Sequence, residues 1–352
     1  MELFLDHLIA IFSNPYIALI VITALVFDFV NGFHDCANSI ATVVGTRTLR
    51  PFQAVAWAAW WNFVAAWVFG LAIANTVGKI VDAKFVTPDV IFAGLLGAIA
   101  WDLITWWWGL PTSSSHALLG GFGGAAMAYA GKMAGVLHET RFWKTIWFIP
   151  IAPLLGLLLG LLLIVAVSWI FRRVSIAKVD RPSRIVQLFS SALYSLGHGT
   201  NDAQKTMGII AALLYASIWQ EQQGAFAKGN VEFPFWIVLV CHAAMGLGTL
   251  AGGWRIVKTM GMKITHLRPI HGACAETAGA ITLFVTSKLG IPVSTTHVIT
   301  GGIIGVGTAQ RLSAVRWGVA RRVVWAWVLT IPASGIAGAL CYWVITAIRN
   351  MN

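Results

Sequence analysis

Long apolar segments constrain the fold of this chain more than any other feature of its sequence. Residues 147–171, WFIPIAPLLGLLLGLLLIVAVSWIF, contain no charged side chain. About twenty apolar residues in a helix span the hydrocarbon core of a bilayer. Only 11% of the residues are charged, whereas soluble domains carry about 25%. We therefore predict an all-α polytopic membrane protein, and we expect no cleaved signal peptide because the N-terminal stretch lacks a basic region.

The basic residues predict how the segments are oriented. Of the 24 Lys and Arg residues, 15 lie in four short connections, at 46–51, 171–184, 254–268 and 311–322. The positive-inside rule places such connections in the cytoplasm, and with this orientation both termini lie outside. A nucleic-acid-binding protein would gather the net charge of +11 on one folded face. We therefore expect no nucleic-acid partner.

Two phrases of the sequence recur in the same order. GFHDCANSIATVV (32–44) resembles GTNDAQKTMGIIA (199–211), and GLPTSSSHALLGG (109–121) resembles GIPVSTTHVITGG (290–302). The charge pattern gives the two copies opposite orientations, an arrangement that is typical of secondary transporters. We predict two inverted-topology repeats of about five segments each, with two re-entrant or broken-helix hairpins. The expected boundaries are 1–171 for the first repeat, 172–184 for a basic cytoplasmic linker and 185–352 for the second repeat.

The Pro–Ser/Thr–His phrases predict an anion site. Proline interrupts the preceding helix, and the hydroxyls cap the next one, which we expect to begin near His116 or His297. A helix N-terminus inside a membrane offers free N–H groups and the positive end of the helix dipole. Two such tips meeting from opposite sides would enclose one anion, whereas plain capping of kinked helices is the alternative. The candidate hydroxyls are those of Ser113, Ser114, Ser115, Ser294, Thr295 and Thr296.

Two aspartates in the middle of apolar segments predict a cation or proton site. One charged side chain at the bilayer centre costs about 2.5–3.5 kcal/mol, which makes Asp35 and Asp202 functional candidates. We expect Gly32 and Gly199 to let their helices unwind locally and expose carbonyl oxygens. Carboxylate and carbonyl oxygens are the ligands that hard cations prefer.

Amide and amino side chains accompany both aspartates. Asn38 follows the first one, and Asn201 and Gln204 flank the second. Lys205 would contact the anion or neutralise Asp202, and a purely structural Asp–Lys pair is the alternative reading. We therefore treat all four side chains as candidates for the same polar site.

Glu276 is a third carboxylate within an apolar segment. We expect its first-half counterpart in AWWNFVAAW (59–67), where Asn62 stands. The sequence leaves the roles of Asp28 and Asp102 open. It holds none of the HExxH, GxSxG, Walker A or CxxC motifs, so we expect no enzyme. A passive channel and a carrier of another oxyanion, such as sulfate, remain alternatives.

Five segments resemble the signature segments of the inorganic phosphate transporter (Pit) family, and of its bacterial, low-affinity, proton-coupled branch in particular. They are NGFHDCANSIATVV, GLPTSSSHALLGG, SLGHGTNDAQKTMG, CAETAGA and GIPVSTTHVITGGIIGVG. The resemblance implies a secondary transporter in the bacterial inner (plasma) membrane that imports phosphate in symport with protons. It also implies that phosphate travels as a neutral complex with Mg²⁺ or another divalent metal. Sodium coupling, as in other branches, is the alternative.

The resemblance further implies roles for single residues. The six tip hydroxyls would bind phosphate together with Asn38, Asn201 and Lys205. The coupling ion or chelated metal would be held by Asp35, Asp202, Glu276, Asn62 and Gln204. Because glutamate is expected at the Asn62 position in the sodium-coupled branch, Asn62 favours protons.

The resemblance also bears on cofactors and partners. We expect no cofactor and no fixed structural metal. The expected partners are phosphate, membrane lipid, a PhoU-like cytoplasmic regulator that would dock on the basic connection 171–184, and a second copy of the chain in a homodimer.

Overall fold

The computed structural model describes residues 2–68, 70–222 and 233–351, and this part of the chain is almost entirely helical. The all-α prediction is therefore confirmed. The helices are α1 (Glu2–Phe12), α2 (Pro15–Gly45), α3 (Pro51–Val64), α4 (Ala72–Val77), α5 (Pro88–Trp108), α6 (Ser114–Ala130), α7 (Glu139–Ile170), α8 (Ile176–Ser217), α9 (Phe235–Ala251), α10 (Trp254–Lys258), α11 (Pro269–Lys288), α12 (Thr295–Gln310) and α13 (Trp317–Met351).

Several of these helices suit a bilayer. By length and apolar composition, α2, α5, α7 and α13 could each cross a membrane, and α9 with the segment 254–263 forms a fifth candidate that bends by 61°. The outer faces of α7 and α13 are apolar, with Leu162 and Ile336 each 64% exposed. Buried positions include many polar and charged side chains. An apolar perimeter around a polar interior identifies a multi-pass membrane protein.

Two features of the helices differ from a simple series of spans. After α2 the chain does not continue as one long helix, because α3 ends at Val64 and α4 follows as a separate short helix. The segment 172–184, expected to be a linker, is mostly helical because α8 begins at Ile176. Lys and Arg are good helix formers, so a basic sequence does not by itself end a helix. The predicted repeats begin at Met1 and end at Asn352, and both of these residues lie outside the described part of the chain.

Glycines allow two helix pairs to pack at backbone distance. A Cβ atom at Gly124 of α6 would lie 2.1 Å from the carbonyl oxygen of Gly335 in α13. A Cβ atom at Gly301 of α12 would lie 2.1 Å from the carbonyl oxygen of Pro153 in α7. Small residues permit such crossings between membrane helices. Each tip helix is therefore packed against a long helix from the other half of the sequence.

The glycines beside the two aspartate motifs serve packing as well. Helices α2 and α8 run without a break through Gly32 and Gly199, so the predicted local unwinding is wrong. A Cβ atom at Gly32 would lie 2.2 Å from the Met245 carbonyl oxygen, and one at Gly199 would lie 2.6 Å from that of Asn62. These positions need the absence of a side chain rather than an irregular backbone.

Candidate functional site

Both Ser/Thr phrases end as capped helix starts inside the protein. Helix α6 begins one residue after Ser113, whose Oγ accepts a hydrogen bond of 3.3 Å from the backbone N–H of His116. Helix α12 begins one residue after Ser294, whose Oγ accepts one of 3.2 Å from the backbone N–H of His297. The predicted N-caps are confirmed, and Ser113 and Ser294 use their hydroxyls to stabilise the backbone.

A left-handed glycine directs the chain into each tip. Gly109 ends α5 with φ +65°, and Gly290 follows α11 with φ +63°. Each glycine precedes the interrupting proline by two positions, at Pro111 and Pro292. Because only glycine adopts this conformation without strain, the Gly–x–Pro spacing reverses the chain direction and aims the next helix N-terminus inwards.

The α12 tip contacts both aspartate-bearing helices. The Asn38 amide nitrogen donates to the hydroxyl of Thr295 at 3.1 Å and to that of Thr296 at 3.0 Å. The Thr295 hydroxyl donates to Asp202 Oδ2 at 3.0 Å. The Thr296 hydroxyl lies 3.4 Å from Asp35 Oδ2. The structure therefore brings five of the predicted site residues into one hydrogen-bonded cluster.

Lys205 links this cluster to the α6 tip. Its ammonium group donates to the Asp202 carboxylate, to the Ser115 hydroxyl and, at 2.9 Å, to the carbonyl oxygen of Val293. The side chain is 2% exposed. A buried ammonium needs such partners because charge is costly away from water. The structural Asp–Lys pair is present, and the same lysine also reaches both tips.

Two histidines lie beside the two aspartates, and sequence reasoning did not assign them to the site. His34 Nδ1 lies 2.8 Å from Asp35 Oδ1, and His198 Nε2 lies 3.2 Å from Asp202 Oδ2. Side-chain atoms of Asp35, His198 and Asp202 come within 4.8 Å of one another, close enough to hold a metal ion. The i, i+4 spacing of His198 and Asp202 places both on one helix face. This spacing is the feature of the sequence that could have assigned His198 to the site.

Several buried polar atoms at this centre have no hydrogen-bond partner among the described residues. They are Ser114 Oγ, Asn38 Oδ1 and Asn201 Oδ1. Asn201 uses its other amide atom to reach the Ser287 hydroxyl at 3.5 Å. Because buried polar groups are nearly always paired in native proteins, these atoms mark places where a polar ligand would bind.

Gln204 and Asn62 are engaged elsewhere. Gln204 Oε1 accepts hydrogen bonds of 3.0 Å and 3.3 Å from the first-turn N–H groups of α4, and Nε2 donates to Gly70. Gln204 therefore holds the break between α3 and α4 in place rather than facing the aspartates. Asn62 Oδ1 lies 3.2 Å from His198 Nδ1, and Nδ2 donates to Thr249, so among the described residues its side chain reaches the site through that histidine.

Glu276 forms a separate buried group with α8. Its carboxylate accepts hydrogen bonds from Gln187 at 3.1 Å and from Ser190 at 2.5 Å. Neither Gln187 nor Ser190 belongs to the tips or to the aspartate cluster. Glu276 is thus held against α8, the helix that also carries Asp202. Its hydrogen bonds join it to neither Asp35 nor Asp202.

The expected pairing of Glu276 with Asn62 is wrong. Glu276 lies on α11, the helix that precedes the α12 tip. Asn62 lies on α3, whereas the helix that precedes the α6 tip is α5. Glu276 precedes Gly290 by 14 residues, and the residue at that distance before Gly109 is Leu95 on α5. The pairing was based on similar apolar surroundings, whereas the distance from the tip pairs Glu276 with Leu95. The bearing of Asn62 on proton or sodium coupling therefore gains no support from Glu276, and it stays a prediction.

Comparison with known proteins identifies the family of this chain. The sequence model of a family described as "Phosphate transporter family" matches residues 31–179 and 172–338. The chain belongs to the phosphate transporter family. It is thus a transporter and not an enzyme.

This family member has close relatives in bacteria. It is 54% identical to the "Probable low-affinity inorganic phosphate transporter" of Rhizobium meliloti (strain 1021), over 95% of this chain and 97% of the relative. It is 45% identical to the protein of the same name from Bacillus subtilis (strain 168), over 94% of this chain and 97% of the relative.

A solved structure shares the fold of the transporter. The structure, titled "The sodium-dependent phosphate transporter", superposes with a TM-score of 0.83 at 25% sequence identity, and the match covers 95% of this chain and 100% of the other.

Proposed function

We propose that this transporter imports inorganic phosphate in symport with protons, and that phosphate is carried as a neutral complex with Mg²⁺ or another divalent metal. One observation carries the proposal: the N-termini of α6 and α12, the buried Lys205 ammonium and the carboxylates of Asp35 and Asp202 meet in one hydrogen-bonded cluster.

The donors of this cluster suit a phosphate. Helix N-termini bind anions through free N–H groups and the helix dipole. Ser114 Oγ has no partner among the described residues, and Lys205 already contacts the neighbouring Ser115. The names of the relatives in Rhizobium meliloti and Bacillus subtilis support phosphate as the oxyanion.

The carboxylates explain why a cation would have to travel with the anion. Asp35 and Asp202 carry two negative charges against the single positive charge of Lys205, and all three side chains are buried. A free phosphate would be repelled by this excess at short range, where low dielectric makes charge interactions strong. A divalent metal bound to the phosphate would reverse that repulsion. The ligand atoms of Asp35, His198 and Asp202 are close enough to contact such a metal.

Sodium coupling is the second candidate, because the structurally similar protein is titled sodium-dependent. Transporter sodium sites are commonly built from carbonyl oxygens of unwound helices. Helices α2 and α8 are continuous through the site, so their carbonyl oxygens stay within the helices. The continuity of α2 and α8 therefore favours proton coupling over sodium coupling.

The remaining expectations stay predictions. They are the two inverted repeats, the inner-membrane location with both termini outside, the PhoU-like regulator on 171–184 and the homodimer. If the repeats hold, the two halves would rock about the cluster to give alternating access.

The proposal is tested by uptake of labelled phosphate into proteoliposomes that contain the purified chain. A proton gradient or a sodium gradient is imposed separately, each with and without Mg²⁺. We expect uptake with the proton gradient, increased by Mg²⁺. Uptake only with sodium would reject proton coupling, and uptake unaffected by Mg²⁺ would reject the metal complex.

Substrate identity needs a second arm of the same experiment. Unlabelled phosphate, arsenate and sulfate are added as competitors. We expect phosphate to compete fully and sulfate to compete weakly. Strong competition by sulfate, together with transport of labelled sulfate, would identify a carrier of another oxyanion.

A further inference from the structure

A buried carboxylate outside the phosphate cluster has no use in the proposed mechanism. Asp28 lies on α2, seven residues before Asp35, which is about two helical turns away. Its side chain is 0% exposed. Neither carboxylate oxygen has a hydrogen-bond partner among the described residues. Asp28 therefore differs from Asp35 and Asp202, whose oxygens contact His34 or Lys205.

An unpaired ionised carboxylate is not stable in such a place. Removing a charged group from water without partners is so unfavourable that the group is neutralised instead. Neutralisation requires either a proton on the carboxylate or a bound metal cation. The surroundings of Asp28 decide between these two.

The neighbours of Asp28 favour a proton. They are the Thr206 hydroxyl on α8, the Asn31 amide on α2 and the Cys241 thiol on α9, which lie near the carboxylate without making a regular hydrogen bond to it. A thiol is a poor ligand for hard cations, which prefer oxygen. Backbone carbonyl oxygens do not supply the further ligands that a metal cation would need, because α2 and α8 are unbroken here. One carboxylate, one hydroxyl and one amide are too few ligands for sodium, whereas a proton needs only one oxygen.

Asp102 is the comparable residue, and its position gives it a different partner. Both of its oxygens also lack a hydrogen-bond partner among the described residues. It lies near the Ser114 hydroxyl of the α6 tip without making a regular hydrogen bond to it, and it also lies near His34 and Asp35. The cargo that binds at the tip would therefore reach Asp102. None of these three groups is among the described neighbours of Asp28.

Resting on the proposed function, we propose that Asp28 is a proton-binding site of the transporter, separate from the phosphate cluster. The titratable groups facing it among the described residues are Asp202 and Lys205 on α8 and Cys241 on α9. Binding adds one proton to one carboxylate oxygen and raises the local charge by one. When Asp28 is protonated, the Lys205 ammonium group keeps its contacts with Asp202 and Ser115. When Asp28 is ionised, its negative charge attracts the same ammonium group. Proton occupancy of Asp28 is thereby coupled to the shape of the phosphate cluster.

The transport test compares Asp28→Asn with the wild type in two assays. Asparagine imitates the neutral acid but cannot release a proton. We expect exchange of internal for external phosphate, which needs no net proton movement, to persist in the variant. We expect accumulation driven by a proton gradient to fall about tenfold or more, within the range of ordinary coupling free energies. Asp6→Asn, which removes an exposed carboxylate on α1, is the matched control and should leave both assays unchanged.

A spectroscopic test works even if phosphate is not the substrate. A protonated carboxylic acid has an infrared carbonyl band that shifts on exchange into heavy water. We expect the wild type to show such a band that Asp28→Asn lacks and Asp6→Asn keeps. Its presence in all three proteins at equal intensity would overturn the inference.

The transport outcomes separate the inference from the proposed function. Absence of phosphate uptake and exchange in the wild type would reject the proposed function while leaving the infrared result to judge Asp28. Normal proton-driven accumulation by Asp28→Asn would overturn the proton site. Loss of exchange in a folded Asp28→Asn protein would also overturn it, because Asp28 would then be needed for phosphate binding.

Discussion

Asn38 on α2 and Thr295 on α12 are 257 residues apart in the sequence and are joined by a hydrogen bond of 3.1 Å. The Thr295 hydroxyl in turn donates to Asp202 on α8. The tip of α12 is thereby fastened to both aspartate-bearing helices at once. Any movement that opens the cluster along this tip has to break this chain of hydrogen bonds.

Replacing Thr295 with valine is expected to weaken phosphate binding. The change keeps the shape of the side chain but removes the hydroxyl between Asn38 and Asp202. A hydrogen bond to a charged group contributes about 1.5–3 kcal/mol, so we expect the concentration for half-maximal uptake to rise about tenfold or more. Thr295→Ser is the control and should restore uptake. An unchanged half-saturating concentration in Thr295→Val would remove this residue from the site.

Ser113 and Ser114 should separate structural from substrate-binding hydroxyls. Ser113 caps α6, so Ser113→Ala should lower the stability by about 1 kcal/mol with little effect on phosphate affinity. Ser114 Oγ has no partner among the described residues, so Ser114→Ala should leave the melting temperature unchanged and weaken phosphate affinity. Thermal unfolding in detergent and concentration-dependent uptake measure the two effects. The reverse pattern would exchange the two roles.

The Lys205–Asp202 pair should be needed for transport even when stability is restored. Either Lys205→Gln or Asp202→Asn alone leaves a buried charge without its partner, which costs about 3–5 kcal/mol. The double variant removes both charges and should recover most of the melting temperature. Uptake should stay absent in all three proteins. Recovery of uptake in the double variant would mean that the pair is structural only.

Gln204→Ala tests whether this amide belongs to an ion site or to the backbone. Its hydrogen bonds to α4 and Gly70 indicate that its loss should lower the melting temperature. The ion dependence of uptake should stay as in the wild type. A changed requirement for protons, sodium or Mg²⁺ at unaltered stability would return Gln204 to the coupling site.

The sequence was sufficient for features that depend on local rules. The Gly–x–Pro–x–Ser/Thr order predicted an interrupted helix and a hydroxyl-capped new start, and the caps at Ser113 and Ser294 follow it. Capping depends on the residue and its next three neighbours, so it can be read from a short segment.

Features that depend on neighbours far away in the sequence were not predictable. Gly32 could as well unwind a helix as admit a neighbouring backbone, and only the approach of Met245 decides the matter. The amide of Gln204 could serve an ion or a helix end, and the break before α4 decides that. No motif in the sequence assigned His198 to the site, although the fold places it between Asn62 and Asp202.

The glycine crossing between α6 and α13 has a consequence for synthesis of the chain. The surface around Gly124 is shaped to receive the backbone of Gly335, which the ribosome adds long after α6 has entered the membrane. During that interval the glycine face of α6 lacks the backbone that it packs against in the finished protein. The tip that carries Ser113 to Ser115 therefore acquires its final support only when the last long helix arrives, and a stalled or shortened chain would contain the aspartates but no finished site.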